Sequence, residues 1–186
     1  MNRRKVLKIG FFDRDTKIVA KELLGKFLVR KIGRRQFSAM ITETEAYDGP
    51  HDKASHASKG KTERTKIMFG EPGKFYVYLV YGMYYMLNVA TREKDYPAAI
   101  LIRGVKGFEG PGKLTKFFKI DKSFNGKVSA PVNNLWFEDR GEIKIKNQSA
   151  SWRTKIKIKA MPRVGVSYAG PIWSAKKWRF CATINQ

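Results

Sequence analysis

Short apolar runs and alternating apolar and polar positions predict that β-strands form much of this chain. The predicted strands are residues 27–32, 37–45, 75–80, 84–90 and 98–105. Residues 33–36 and 70–73 have the composition of turns. Gly82 interrupts the alternation between the third and fourth strands, so residues 75–90 are predicted to form a hairpin whose tip carries Tyr81 and Met83.

The remaining periodic segments predict two helices and a second pair of strands. Asp13 or Asp15 is placed to cap a helix that ends at Gly25. Its apolar side carries Ile18, Val19, Leu23 and Leu24. Residues 110–112 open a helix near 114–120, and isoleucine alternates with lysine in 142–146 and 154–160, which predicts antiparallel strands with one wet face. Together these elements predict one α+β domain spanning residues 1–186.

The charge balance points to a polyanionic partner. The chain has 38 Lys and Arg against 16 Asp and Glu, a formal net charge of +22. Residues 1–100 carry 20 basic against 11 acidic side chains, and residues 101–186 carry 18 against 5. Because both halves are cationic, the folded body and not a tail provides the positive field, which attracts nucleic acid. Charge alone fits a ribosome-associated or membrane-surface protein equally well.

Cysteine content and hydropathy exclude several classes of protein. The one cysteine, Cys181, excludes an internal disulfide and a cysteine-rich zinc site, and its apolar neighbours predict a small core residue. The first residues lack the apolar stretch of a signal peptide, and no segment approaches the ~18 apolar residues of a membrane span. We expect a soluble, intracellular protein with no membrane association.

Residues 41–91 concentrate the chemistry. They contain both histidines, His51 and His56, and a cluster of five tyrosines between residues 76 and 85. Glu43 and Glu45 are two apart in a predicted strand and so face the same side. They fit a carboxylate pair for metal or acid–base chemistry, one working acid with a structural neighbour, or acids that only balance basic neighbours. Asn88 sits in an apolar strand, where a buried amide requires hydrogen-bond partners.

The order and spacing of many short motifs resemble one enzyme family. The motifs are Glu43–Thr44–Glu45–Ala46–Tyr47, Gly49–Pro50, His56, Met68–Phe69, Pro72–Gly73, Tyr76–Val77–Tyr78, Tyr81–Gly82–Met83, Asn88, Ile100–Leu101–Ile102–Arg103, Gly110–Pro111–Gly112–Lys113–Leu114 and Arg163–Val164–Gly165–Val166. This pattern, from Phe11 to Phe180, is similar to that of the alkyladenine (3-methyladenine) DNA glycosylases in their compact bacterial form. The resemblance implies a curved, mainly antiparallel sheet with surrounding helices and a protruding hairpin.

The resemblance also implies a role for eight residues. Glu45 corresponds to the acid that activates the attacking water, and Arg103 to an arginine beside that water. Three positions match residues that enclose the flipped base: Tyr47, His56 and Tyr78. Asn88 and Leu101 match pocket-wall positions that screen purines, and Tyr81 matches the residue that inserts into the duplex.

The expected activity is therefore monofunctional. The chain would flip alkylated or deaminated purines out of duplex DNA and hydrolyse the N-glycosidic bond, without metal or cofactor. We expect a monomer that acts on double-stranded DNA containing damaged purines, in the cytoplasm at the nucleoid. Two rival classes are a non-catalytic nucleic-acid-binding protein, which has no use for Glu45, and a bifunctional glycosylase–lyase, which needs an amine for a Schiff base.

Two segments depart from the family pattern. Residues 104–107 read Gly-Val-Lys-Gly where the family usually continues with Ala-Leu-Glu-Pro, and bacterial relatives often have histidine where Tyr84 or Tyr85 stands. We expect neither change to touch the chemistry. Both lie near the predicted DNA-binding face, so they bear on which damaged base is preferred.

Overall fold

The computed structural model describes residues 4–141 and 156–183. The strands in these residues are β1 (Lys5–Val6), β2 (Phe27–Ile32), β3 (Arg35–Asp48), β4 (Phe75–Val80), β5 (Tyr84–Ala90), β6 (Ala98–Val105), β7 (Phe108–Glu109), β8 (Leu135–Asp139), β9 (Lys157–Met161) and β10 (Arg179–Thr183). The α-helices are α1 (Ile9–Phe12), α2 (Thr16–Leu23), α3 (Pro111–Phe117) and α4 (Gly170–Ser174). Short 3-10 segments include His56–Lys59, Lys66–Phe69 and Ser167–Ala169.

The strands join one antiparallel sheet in the order β1-β8-β2-β3-β6-β5-β4. β10 pairs with both β3 and β9, and β7 pairs with β6. This architecture confirms the predicted α+β class with a mainly antiparallel sheet. The prediction that residues 1–186 form one domain stays a prediction.

β3 is the strand on which the sheet is centred. It runs for 14 residues, of which 35–40 pair with β2 and 41–48 with β6. Residues 43–45 pair also with β10, so the second half of β3 lies between two strands. The β3–β6 register shifts twice, between Ile41 and Glu43 and between Glu43 and Thr44. These irregularities lie next to the two acidic residues Glu43 and Glu45.

Helix α2 covers the buried side of β3. The Asp15 carboxylate accepts hydrogen bonds from the Lys17 and Ile18 N–H groups, which satisfies two free donors at the helix start. Val19 and Leu23 are fully buried in the main apolar core. Ile18 was predicted on the buried side but is 49% exposed. Its position lies one residue from the buried stripe, so the helix turns it toward solvent.

The predicted hairpin is present with the predicted bounds. The Met83 N–H donates to the Val80 carbonyl at 3.1 Å, and the two residues between them have positive φ, +53° at Tyr81 and +67° at Gly82. Positive φ at both positions is the requirement of the tightest hairpin turns. α3 packs against the hairpin close to its tip, at Gly112, where an added Cβ would come within 2.7 Å of the Tyr84 ring.

Other predicted boundaries differ from the structure. The first turn contains only Gly33 and Arg34, and β3 continues to Asp48 instead of ending at Glu45. α3 begins at Pro111, three residues before the predicted start. The predicted strand at 142–146 lies outside the described residues, as do residues 154–155 of the last one. Cys181 is partly exposed on β10 and is not a core residue, because its face of the strand is only partly covered.

Candidate active site

The site is built on one row of residues that crosses five strands. Tyr76 on β4 is the register partner of Asn88 on β5, and Asn88 also pairs with Leu101 on β6. Leu101 is the partner of Glu45 on β3, and Glu45 of Arg179 on β10. Register partners in an antiparallel sheet point to the same face. Because side chains alternate between the two faces along each strand, residues far apart in the chain lie on one face of the sheet.

A cavity of about 490 Å³ lies over this row. All eight residues predicted for the site line it: Glu45, Tyr47, His56, Tyr78, Tyr81, Asn88, Leu101 and Arg103. The rest of the lining includes Arg64 and Tyr168. The structure therefore brings the predicted residues together, while their individual roles stay predictions.

Glu45 lies on the floor of the cavity with no exposed surface. Its Oε1 accepts a hydrogen bond from the Val164 N–H at 2.9 Å, and its Oε2 accepts one from the Tyr47 hydroxyl at 2.9 Å. The Arg103 Nε lies 3.5 Å from Oε1. Contacts from three separate segments thus fix the orientation of this carboxylate.

The environment of Glu45 makes it a stronger base than an exposed glutamate. Burial raises the pKa of the Glu45 carboxyl, while Arg103, the Val164 N–H and the Tyr47 hydroxyl oppose that shift. A raised carboxyl pKa moves the group toward the range in which it accepts a proton effectively at neutral pH. The surrounding donors hold the ionised Glu45 carboxylate in place, in a position to accept a proton from a neighbouring group.

Aromatic rings form the walls of the cavity. The His56 and Tyr78 rings meet edge to face with centroids 4.7 Å apart, and burial raises the pKa of the Tyr47 and Tyr78 hydroxyls, which stay protonated. Burial, aided by the nearby Arg64 charge, lowers the pKa of His56 to about 4. Its Nδ1 lies 3.0 Å from the Tyr76 hydroxyl. When that hydroxyl donates, neutral His56 carries its proton on Nε2 as a hydrogen-bond donor.

The remaining predicted residues occupy the wall and the rim. Asn88 is 3% exposed, and its Nδ2 donates to the Tyr76 carbonyl at 3.0 Å, which fixes the amide. Leu101 is 4% exposed on the floor, beside Glu45. Tyr81 is 86% exposed at the hairpin tip, so packing does not explain its presence there.

Sequence reasoning missed the ion pair that supports the floor. The Arg163 guanidinium donates to both carboxylate oxygens of Asp52, at 2.5 and 2.8 Å, and neither side chain is exposed. Arg163 also donates to the Ala46 carbonyl and lies over the Tyr47 ring. This pair holds the segment that presents the Val164 N–H to Glu45. The sequence signal was the Arg-Val-Gly-Val motif, noted without a role.

Two further residues of the lining carried no distinct signal. The Arg64 guanidinium lies 5.1 Å from the centroid of the Tyr78 ring. The Tyr168 hydroxyl donates to the Ala54 carbonyl at 2.8 Å, linking the two loops that border the cavity. Arg64 lies in a polar turn and Tyr168 in the three-residue 3-10 segment Ser167–Ala169, and both segments are too short for periodicity to show where a side chain points.

The possible metal ligands do not converge in the described part of the chain. Among residues 4–141 and 156–183, no group of three or more His, Cys, Asp and Glu side chains is placed to hold a metal ion. Asp52 is engaged by Arg163, and His51 is exposed and outside the cavity lining. The helices of the same residues include none long and apolar enough to cross a membrane.

Comparison with known proteins identifies the family. The family model described as "Methylpurine-DNA glycosylase (MPG)" matches residues 10–109 and 106–186. Proteins named "Putative 3-methyladenine DNA glycosylase" are 42% identical in Methanocella arvoryzae, over 94% of this chain and 91% of that protein, and 43% identical in Anaeromyxobacter dehalogenans strain 2CP-C, over 92% and 80%. One from Legionella pneumophila strain Paris is 41% identical over 95% and 93%. With matches over almost its whole length, the chain belongs to the methylpurine-DNA glycosylase family.

Proposed function

We propose that this protein hydrolyses the N-glycosidic bond of alkylated or deaminated purines that are turned out of duplex DNA, with Glu45 activating the attacking water. The family makes it a DNA glycosylase, a hydrolase of N-glycosyl bonds. The observation that carries the proposal is the buried Glu45 carboxylate, which lies beside Arg103 in a cavity lined by aromatic side chains.

The walls supply the energy that holds a base outside the duplex. Extruding a base costs a few kcal/mol, and stacking it on an aromatic side chain returns roughly 1–3 kcal/mol. Tyr47 and Tyr78 provide the rings, and His56 provides a donor for the base edge. Tyr81 would fill the gap left in the stack. A base alkylated at N3 or N7 is cationic, which strengthens its contact with electron-rich rings.

The chemistry proposed for the floor needs only a base and a water molecule. Glu45 takes a proton from water as the water oxygen bonds to the anomeric carbon. The bond from that carbon to the base nitrogen breaks, and its electron pair leaves with the base. A cationic alkylated purine departs as a neutral molecule, whereas a neutral lesion such as hypoxanthine requires protonation as it leaves.

The positive charge of the chain supports duplex DNA as the partner. Counterion release gives a slope of log K against log salt of about −4.5 for five phosphate contacts. We expect such a slope for undamaged duplex, and a slope shallower than about −2 would indicate another partner. The proposal also takes the active form to be a monomer at the nucleoid, which the sedimentation of the protein and its DNA complex would test.

Release of free base is the direct test. Duplexes carrying a methylated purine, hypoxanthine or ethenoadenine are incubated with the protein, and free base and strand integrity are measured. We expect release of at least one base from an intact abasic strand. Binding to lesion duplex without release from any substrate would favour the non-catalytic rival.

Borohydride separates hydrolysis from lyase chemistry. Water as nucleophile leaves no imine to reduce, so no covalent protein–DNA adduct is expected. Within the described residues the cavity lining contains no lysine. A stoichiometric reduced adduct would favour the glycosylase–lyase class.

A further inference from the structure

Glu43, two residues before Glu45 in β3, belongs to a row of side chains whose charges alternate in sign. The row consists of Arg179, Glu43, Arg103 and Glu45. The Arg179 guanidinium donates to Glu43 Oε1 at 2.9 Å, and the Arg103 Nε lies 3.2 Å from the same oxygen. Arg103 in turn lies 3.5 Å from Glu45 Oε1. Glu43, Arg103 and Arg179 are each less than 20% exposed in their side chains. Glu43 therefore joins two arginines, one of which contacts the proposed base.

The register of the sheet explains why Arg103 lies between two carboxylates. Glu45 pairs with Leu101, and a regular ladder would next pair Glu43 with Arg103. Glu43 instead pairs with Gly104, and Arg103 is the extra residue of a bulge in β6. Bulges redirect side chains and are frequent beside active sites. Here the bulge places Arg103 at the level between Glu43 and Glu45.

Gly104 provides the room that Glu43 occupies. A Cβ added at this position would lie 3.2 Å from the Glu43 Cβ and 3.4 Å from its Oε2. Alanine stands here in the usual family pattern, so in this chain the glycine leaves space for the Glu43 side chain beside Arg103.

We propose that Glu43 is a positioning residue that holds Arg103 against Glu45, and that Arg179 anchors Glu43. The inference rests on the proposed function, in which Glu45 is the base. The Arg103 Nε lies between the two carboxylates, 3.2 Å from Glu43 and 3.5 Å from Glu45, so loss of Glu43 would remove the shorter contact and let the guanidinium rotate out of the site. It is not assigned a contact with DNA or with the water.

Glu43 also balances the charge around Glu45. The charged or titratable side chains that face Glu45 are Glu43, Tyr47, Tyr78, Arg103, Tyr168 and Arg179. Glu43 contributes to the raised pKa of Glu45, whereas Arg103 opposes it. Replacing Glu43 by glutamine removes that negative neighbour and, by the proposal, also moves Arg103, the stronger influence, away from Glu45. Glu45 would then lose its proton at a higher pH, whereas a Glu43 that acts only through its own charge would shift the titration to lower pH.

The experiment compares Glu43→Gln with a matched control, Glu138→Gln, in the full chain. Glu138 is also a shielded acid, paired with Arg140 at 2.9 Å and absent from the cavity lining. The Glu45 carboxyl is titrated by carbon-13 NMR, with its signal assigned through Glu45→Gln. Single-turnover base release is measured against pH. In Glu43→Gln we expect both the Glu45 titration and the acidic limb to move to higher pH, and the plateau rate to fall roughly 10- to 100-fold, as for a misplaced catalytic group.

A second variant keeps every charge in place. Gly104→Ala should push the Glu43 side chain by a few tenths of an ångström, and we expect a smaller loss of rate with an unmoved acidic limb. A Glu45 titration in Glu43→Gln that is unmoved or shifted to lower pH, or equal losses of rate in Glu43→Gln and Glu138→Gln, would overturn the inference. If the parent protein releases no base, the proposed function is refuted instead. The NMR titration of Glu45 then still tests whether Glu43 positions Arg103.

Discussion

The floor of the cavity and the tip of the hairpin differ in almost every physical respect. Glu45 on the floor is fully buried and contacts groups from three separate segments. Tyr81 at the tip is 86% exposed and has a φ of +53°. That conformation is unfavourable for a bulky side chain and typically costs about 1–3 kcal/mol.

This difference separates two tasks. Chemistry requires a carboxylate held to within a fraction of an ångström, which a paired strand in the middle of a sheet provides. Contact with a deformable duplex requires an aromatic ring that projects beyond the protein surface. Variants on the floor should therefore change the rate on every substrate, and variants at the tip should change it according to how firmly the target base is paired.

The largest effect is expected for Glu45→Gln. The amide keeps the shape of the side chain but cannot accept the proton, so single-turnover base release should fall on the order of 10²–10⁴-fold. Binding to lesion duplex should persist. Exposed Glu71→Gln serves as the control and should retain the parent rate. A rate within about threefold of the parent is far below this range and would remove Glu45 from the proposed role.

The next effect concerns the stability of the floor. Asp52→Asn leaves the buried Arg163 charge without its partner, and breaking such a pair typically costs about 3–5 kcal/mol of unfolding free energy. The control is Glu63→Gln, which removes a surface pair with Lys66 worth about 0–1 kcal/mol. Urea denaturation measures both. Equal stability of the two variants would show that the ion pair does not support the floor.

Tyr81→Ala should damage base flipping without destabilising the protein. Loss of one stacking contact costs roughly 1–3 kcal/mol, a 5- to 150-fold lower rate for a lesion in a well-paired duplex. The loss should shrink opposite a mismatch, where less pairing has to be broken. Tyr81→Phe keeps the ring and serves as the control. Equal losses on both duplexes, together with a lower melting temperature, would mean that Tyr81 is a packing residue.

The last effect, confined to acidic pH, is a pH dependence of stability at the wall of the cavity. The pKa of His56 is lowered from 6.5 to about 4 in the folded protein, so the unfolded chain binds a proton first as the pH falls. The contribution of His56 to stability is thus complete above pH 6.5 and is lost progressively toward pH 4. Melting temperatures at several pH values should fall less steeply for His56→Gln than for the parent. Exposed His51→Gln is the control, and identical curves for all three proteins would contradict the expected burial.

Local pattern predicted most of the elements that carry the site. The bounds of β4 and β5 follow from alternation and from Gly82, those of β6 follow from a continuous apolar run, and the exposed tip at Tyr81 follows from the turn. The shared face of Glu43 and Glu45 follows from their spacing within the strand. These features depend on interactions between residues close in the sequence, which a single chain displays directly.

Long-range pairing was not predictable from the same signals. Asp52 and Arg163 are 111 positions apart, and β10 lies beside β3 although most of the chain separates them. The bulge at Arg103 is a shift in the register between β3 and β6, which the composition of neither strand indicates. The family resemblance brought the site residues into one list, but it did not specify which carboxylate each arginine contacts.

The position of β10 beside β3 has a consequence for how the protein is made. Arg179 follows Glu43 by 136 positions, so a ribosome that adds 5–20 residues per second completes that pairing roughly 7–27 s after synthesising β3. Until then one edge of β3 is open to pairing with another nascent chain. Charged side chains discourage such edge-to-edge association. Glu43 and Glu45 lie on the part of β3 whose edge stays unpaired until β10 is synthesised. The acids of the finished site therefore also protect the unfinished sheet from association with another chain.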